Sequence, residues 1–190
     1  HIHDYSQGVI LNWGTHILDI VQWGLNTERT GPEEITGKGR FPAGNLWDVL
    51  QEFEVRYRYA GGVEVIYTNA GRPFVRFEGA DGWIENTWFK ADGFKASREE
   101  LLEWRPGPND LKLPIINEKQ DFVNSIKSRK ETLIPAEVGH RTASLCQLGH
   151  IAVQLEQPLK WNPATERFTG HEEANQLLVR PQRAPWKAGA

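Results

Sequence analysis

The sequence predicts an α+β fold: a mainly antiparallel, open-faced sheet with helices packed on one face. Three observations predict it. An amphipathic helical stretch stands near the start, a central block alternates apolar and polar residues between turn signals, and helical periodicity returns after residue 97.

The first helix is expected over Gly14–Leu25, where Ile17, Ile20, Val21 and Leu25 follow the i, i+3, i+4 spacing of a core-facing stripe. Asn12, His16, Asp19 and Trp23 fall at steps of four, three and four, so they share the opposite face if the helix reaches back to Asn12. Gly31-Pro32 punctuates its end. Next come strands at Glu34–Arg40 and Glu52–Tyr59, the latter setting Phe53, Val55, Tyr57 and Tyr59 against Glu54, Arg56 and Arg58. Ala60-Gly61-Gly62 turns this strand onto Val63–Tyr67 as a hairpin. Phe74–Glu78, Trp83–Trp88 and Phe94–Ala96 are further strands, separated by Gly79, Asp81-Gly82 and Asp92-Gly93. Short spacings between strands imply an antiparallel meander, with Glu54, Arg56, Arg58 and Glu64 on its solvent or partner side. Helices follow at Ser97–Trp104, at Asn117–Ser128 with Asn117 as cap, and from Pro135 to about Gln157. The last helix carries Val138, Leu145, Leu148, Ala152 and Leu155 on one side and His140, Ser144, Gln147 and Gln154 on the other. Residues 1–170 are thus expected to form one domain and 171–190, with their prolines and arginines, a C-terminal arm.

Composition excludes several classes. With 190 residues, 39% of them hydrophobic, the chain can bury a core without a staple. A single cysteine rules out a disulfide framework. Lys and Arg number 22 against 25 Asp and Glu, which lacks the basic footprint of a nucleic-acid binder. No apolar run approaches the ~18 residues of a membrane helix, so neither nucleic acid nor membrane is an expected partner. There is no Met, so the chain is expected to be processed or a piece of a longer protein. Eight Trp suit sugar-directed chemistry without demanding it. Nothing in the residues indicates a compartment.

No G-x-G-x-x-G follows a strand, and G-x-x-x-x-G-K-[ST], G-x-S-x-G and H-E-x-x-H are all absent. Gly37-Lys38-Gly39 is spaced wrongly for a dinucleotide turn. No cofactor is therefore expected on this chain itself. His1-x-His3 and the i, i+4 pair Cys146/His150 have metal-type spacing, but Cys146 lies beside the apolar stripe, where a thiol packs; no metal site is expected. The carboxylate pairs Glu33-Glu34, Glu99-Glu100 and Glu172-Glu173 are adjacent, so their side chains diverge and read as solvated faces. Tyr57, Tyr59 and Tyr67 read as sheet packing or an oligomer face. The strongest candidate is the Asn12–His16–Asp19–Trp23 face. An imidazole titrates near neutrality and can exchange a proton with an alcohol becoming a carbonyl, while a neighbouring amide fixes a second oxygen. Spacing alone favours an ordinary solvated or hydrogen-bonded helix face.

The stretch Gly8-Val9-Ile10-Leu11-Asn12-Trp13-Gly14-Thr15-His16-Ile17-Leu18-Asp19 resembles the G-x-x-x-D-x-G-x-H-x-x-D signature of the glucose–fructose oxidoreductase / inositol dehydrogenase / MocA-like (Gfo/Idh/MocA) oxidoreductases. Asp4-Tyr5-Ser6-Gln7-Gly8, Asp19–Trp23 and the tail Trp161-Asn162-Pro163, Arg167-Phe168 and Glu173-Ala174-Asn175 are similar to the bacterial-type C-terminal domain of that family. The resemblance implies a two-domain parent whose N-terminal Rossmann domain binds NAD or NADP and carries an E-K-P lysine. It implies hydride transfer at a hydroxyl-bearing carbon of a sugar, polyol or related compound, and a homo-oligomer, dimer or tetramer, formed through the open sheet. This chain would be the substrate-binding and oligomerisation domain without its Rossmann partner. His16 matches the active-site His and Asp19 the acidic position one turn later. Asn12 stands where many members have Asp; an amide can orient a hydroxyl but cannot take its proton. Asp4 and Tyr5 would sit near the same mouth, and His140 is a further substrate-binding candidate. Two rival expectations are a non-catalytic association domain and an NAD-dependent glycosidase of the same family.

Overall fold

The computed structural model describes residues 2–44, 46–71, 74–87, 93–110 and 116–185. His1 of the H-x-H pair, Trp88 and Asp92 of the expected β segments, and the final residues 186–190 of the arm lie outside them. The elements are α1 (Val9–Asn12), α2 (Gly14–Leu25), β1 (Glu34–Arg40), β2 (Glu52–Arg58), β3 (Glu64–Thr68), β4 (Val75–Gly79), β5 (Gly82–Asn86), β6 (Phe94–Ala96), α3 (Glu100–Glu103), α4 (Glu118–Ser128), α5 (Ala136–Leu155), β7 (Leu159–Asn162), β8 (Arg167–Phe168) and α6 (Glu172–Gln176). No helix among the described residues is long and apolar enough to cross a membrane.

The strands form two sheets. A five-stranded sheet has the order β3-β2-β1-β7-β8, and a three-stranded one the order β4-β5-β6. Every pairing described is antiparallel. The expected meander thus holds for β1 to β3, with Ile35 opposite Tyr57 and Tyr57 opposite Val65. It breaks between β3 and β4, which lie in different sheets, and resumes as β4-β5-β6; β1 takes its other neighbour from the far end of the chain, where Ile35 meets Leu159. The short strands β7 and β8 carry too few residues to announce themselves by alternation.

The large sheet is two-faced, as its alternation requires. Phe53, Val55 and Tyr57 of β2 and Tyr67 of β3 point inward and are buried with Ile35 and Leu159. Against them lies α5, which buries Val138, Thr142, Leu145, Cys146 and the whole run Leu148–Val153. Close approach of helix and sheet depends on small residues. A Cβ at Gly37 would stand 2.7 Å from the Val153 amide nitrogen, so the Gly37-x-Gly39 pair serves packing. The Tyr57 hydroxyl donates to the Leu145 carbonyl at 2.8 Å, which satisfies a buried phenol. On the outer face the charges pair across strands, Arg58 with Glu34, Arg56 with Glu64, Lys38 with Glu54 and Arg40 with Glu52, and along β2, Arg56 with Glu54. No helix packs on that face among the described residues.

Candidate functional site

Helices α1 and α2 meet at Trp13, and this joint positions the candidate group. Gly8 begins it with φ 76° and a backbone packed so closely on Val49 that a Cβ would come within 2.9 Å. Trp13 keeps helical angles (φ −79°, ψ −29°), so the chain turns on without leaving the α region. The Ile17 amide donates to the Trp13 carbonyl, and the Ile10 carbonyl accepts from the Tyr67 hydroxyl at 3.2 Å. Gly14 then lets α2 cross α5, since a Cβ there would lie 2.6 Å from the Cys146 sulfur. Burial falls on Gly14, Leu18 and Gln22, which corrects the expected stripe. Ile17, Ile20, Val21 and Leu25 are only half-buried; at Gly14 the approach to Cys146 of α5 leaves no room for a side chain.

Asn12 and His16 lie exposed on the free side of this joint. The Asn12 carbonyl accepts from the Thr15 hydroxyl at 3.1 Å, which leaves its amide side chain available. The His16 ring stands edge-on to Trp13, with centroids 6.1 Å apart and planes at 64°, and forms no hydrogen bond among the described residues. Asp19, one turn on, is half-buried and accepts from the Thr142 hydroxyl of α5 at 3.0 Å. Trp23 is half-buried with its indole N–H unpartnered. The α1–α2 joint thus offers solvent an imidazole from α2 and an amide from the end of α1, backed by a carboxylate fixed to α5. Such a group can hydrogen-bond two neighbouring oxygens of a ligand and exchange a proton with one of them.

The remaining predicted residues are placed differently. Tyr5 is 87% exposed and Asp4 is exposed, both in the segment leading into α1. Asp4 and His3 offer their main-chain carbonyls to Arg180 of the arm at 3.0 and 2.8 Å. His140 faces Glu166 on the turn between β7 and β8, at 2.7 Å, and Arg141 pairs with the same carboxylate at 3.2 Å. It is therefore occupied away from the α2 group, whereas Thr142, two residues along, reaches Asp19. Sequence reasoning missed Thr142 and the ring contact of Trp13. Neither has a local signal, because each depends on which helix lies alongside.

Cys146 is buried, its thiol donating to the Thr142 carbonyl at 3.5 Å, and burial pushes its pKa up to about 12. His150 is buried too. Burial first, then the nearby His3 and Arg180, push it down to about 4. His3 stacks on it at 5.0 Å between centroids, and Phe41 meets it edge-on at 5.6 Å. No group of three or more His, Cys, Asp or Glu that could hold a metal occurs among the described residues. A dinucleotide cradle of the Rossmann type is a parallel βαβ unit with a glycine-rich turn into a helix N-terminus, whereas the strand pairings among the described residues are antiparallel.

Residues 2–188 match the model of the Gfo/Idh/MocA oxidoreductase family, C-terminal alpha/beta domain. The chain belongs to this family. Comparison with curated protein sequences gives no match. Among solved structures, this Gfo/Idh/MocA domain is similar in fold to aldose-aldose oxidoreductase from Caulobacter crescentus, complexed with glycerol (TM-score 0.55, 13% identity, 77% of this chain and 45% of that one). It is likewise similar to an NAD-binding protein from Listeria innocua (TM-score 0.56, 14% identity, 80% and 47%). A probable dehydrogenase from Thermotoga maritima also matches (TM-score 0.52, 16% identity, 82% and 50%). The chain spans about half the length of these structures.

Proposed function

We propose that this domain is the substrate-facing half of an NAD(P)-dependent oxidoreductase that acts on a hydroxyl-bearing compound of the sugar or polyol class. The observation that carries the reading is the exposed His16–Asn12 pair, set at the positions of the family signature and backed by Asp19 on Thr142. Oxidation of a carbinol releases a proton from its hydroxyl, and an exposed imidazole without an internal partner is placed to accept it. Asn12 orients an adjacent oxygen, and Asp19 fixes the face of α2 on which His16 stands. The dinucleotide belongs to a part of the parent outside this chain. The glycerol of the aldose-aldose oxidoreductase structure supports a polyol-like ligand.

The test is a titration of the 190-residue chain with glycerol, myo-inositol and glucose, followed by NMR of the histidine rings and asparagine amides. The expected result is a saturable shift at His16 and Asn12 that His16→Ala abolishes, with no response to NADH. Micromolar NADH binding by this chain alone, or polyol shifts confined to other residues, would sink the reading. Asn12 at the usual Asp position favours one further reading, an association domain without turnover. The uncovered outer face of the large sheet supports self-association in either case, and light scattering that found only monomer would count against it.

A further inference from the structure

The two sheets leave a seam between them. β3 is an edge strand of the large sheet and β4 an edge strand of the small one. Helix α2 roofs the gap, and a cavity of about 410 Å³ lies beneath it, within the ~300–1,000 Å³ range of small-molecule sites. Its helical wall is the apolar stripe that α2 does not bury against α5: Trp13, Ile17 and Val21. Val65 and Phe77 face them from the strands. Gly24 packs directly on the Phe77 ring, which pins the small sheet to α2 and sets the width of the seam.

The polar side chains of the wall are already satisfied. The Tyr67 hydroxyl is given to Ile10, and the Thr68 hydroxyl donates to the Phe53 carbonyl at 2.8 Å. Asn69 donates to Gln51 and accepts from Phe53. Glu64 pairs with Arg56, and Arg76 pairs with Glu78 while lying over Trp83. These groups are tied to the protein and the lining is mainly apolar, so what the cavity chiefly recognises is apolar surface. Trp13 links it to the candidate site: the same indole lines the cavity and meets the edge of His16.

We propose that this cavity is a subsite for an aromatic substituent of the ligand whose hydroxyl-bearing part lies at His16, so that the domain favours aryl-substituted sugars or polyols over free ones. This rests on the functional reading above and names the substrate class of that same site. The test uses the intact 190-residue chain and the neutral fluorescent probe N-phenyl-1-naphthylamine, with phenol, glucose and phenyl β-glucoside as competitors. Saturable probe binding is expected. Val21→Trp, filling the cavity from the helix, and Val65→Trp, filling it from the sheet, should each weaken it about tenfold or more, while His16→Ala should leave it unchanged. Two walls are varied so that a misfolded variant, recognised by its circular dichroism, does not decide the matter. Phenyl β-glucoside should displace the probe at lower concentration than phenol, and His16→Ala should erase that advantage. Absent probe binding, or binding indifferent to both tryptophans, overturns the subsite while leaving the polyol reading to its own titration. Phenol and phenyl β-glucoside competing equally in the native chain overturns the link to His16. Probe binding that follows both tryptophans, beside polyols that fail to reach His16, instead overturns the functional reading and the proposal with it.

Discussion

Helices α5 and α4 hold their shape by opposite means. Helix α5 has no side-chain cap at Pro135, yet ten of its twenty residues are buried against the sheet and α2. Helix α4 has the better local signals. The Asn117 side chain accepts from the amides of Lys119 and Gln120, Lys127 lies in the last turn, and Arg129 closes the helix in the left-handed conformation at φ 59°. None of its residues is buried, and Phe122 and Ile126 remain 60% and 49% exposed. Its ties are few: the Leu133 amide to Asp121 at 2.8 Å, and the surface pair Arg29–Glu131 next to it. Local capping therefore suffices to define a helix but not to weld it to the core, since an isolated helix of this length is marginal in water.

The contrast can be broken or sharpened by measurement. Leu145→Ala empties a site under α5 and should cost about 2–5 kcal/mol of global stability in urea unfolding; a loss below ~1 kcal/mol would mean that the α5–sheet contact is not the core. The next effect belongs to His150. The unfolded chain takes up this proton as pH falls through 6.5, the folded chain only near 4. Stability should therefore be full above pH ~7 and should decline by about 3 kcal/mol as pH falls through the window between those values. His150→Leu should flatten that portion of the variant's own stability curve, so that the step stands in the native-minus-variant difference. An unchanged curve would show that His150 does not feel its burial. Asn117→Ala should cost about 1 kcal/mol, seen as faster hydrogen exchange within α4 while α5 amides keep their protection. Loss of protection in both helices would make them one cooperative unit. Smallest of all, Ile126→Ala should move the global midpoint by no more than ~0.5 kcal/mol.

Much of the fold was legible because alternation and helical spacing report directly on half-buried elements. β1 and β6 fall where the sequence predicts them, and β2 to β4 within a residue or so at each end. The candidate site was legible only as a face. Asn12, His16 and Asp19 could be grouped by spacing, but Thr142 could not be joined to Asp19 across 123 positions. The α2 stripe misled for a related reason. Apolar periodicity tells which residues avoid water, not whether they meet a helix or line a cavity, and Gly14 and Gln22 carry no apolar signal although they make the tighter contact. β7 and β8 are recognised by the partner strand β1, which no local window contains.

The joint at Trp13 has a consequence for what can bind. Asn12 ends one helical piece and His16 stands in the next, and the Ile10 carbonyl of the first piece is taken by Tyr67, whose ring is buried in the sheet. The seat of α1, and with it the position of Asn12, is therefore anchored to β3 on the large sheet. On the function proposed above, a change at Tyr67 would be felt at Asn12 without altering either helix.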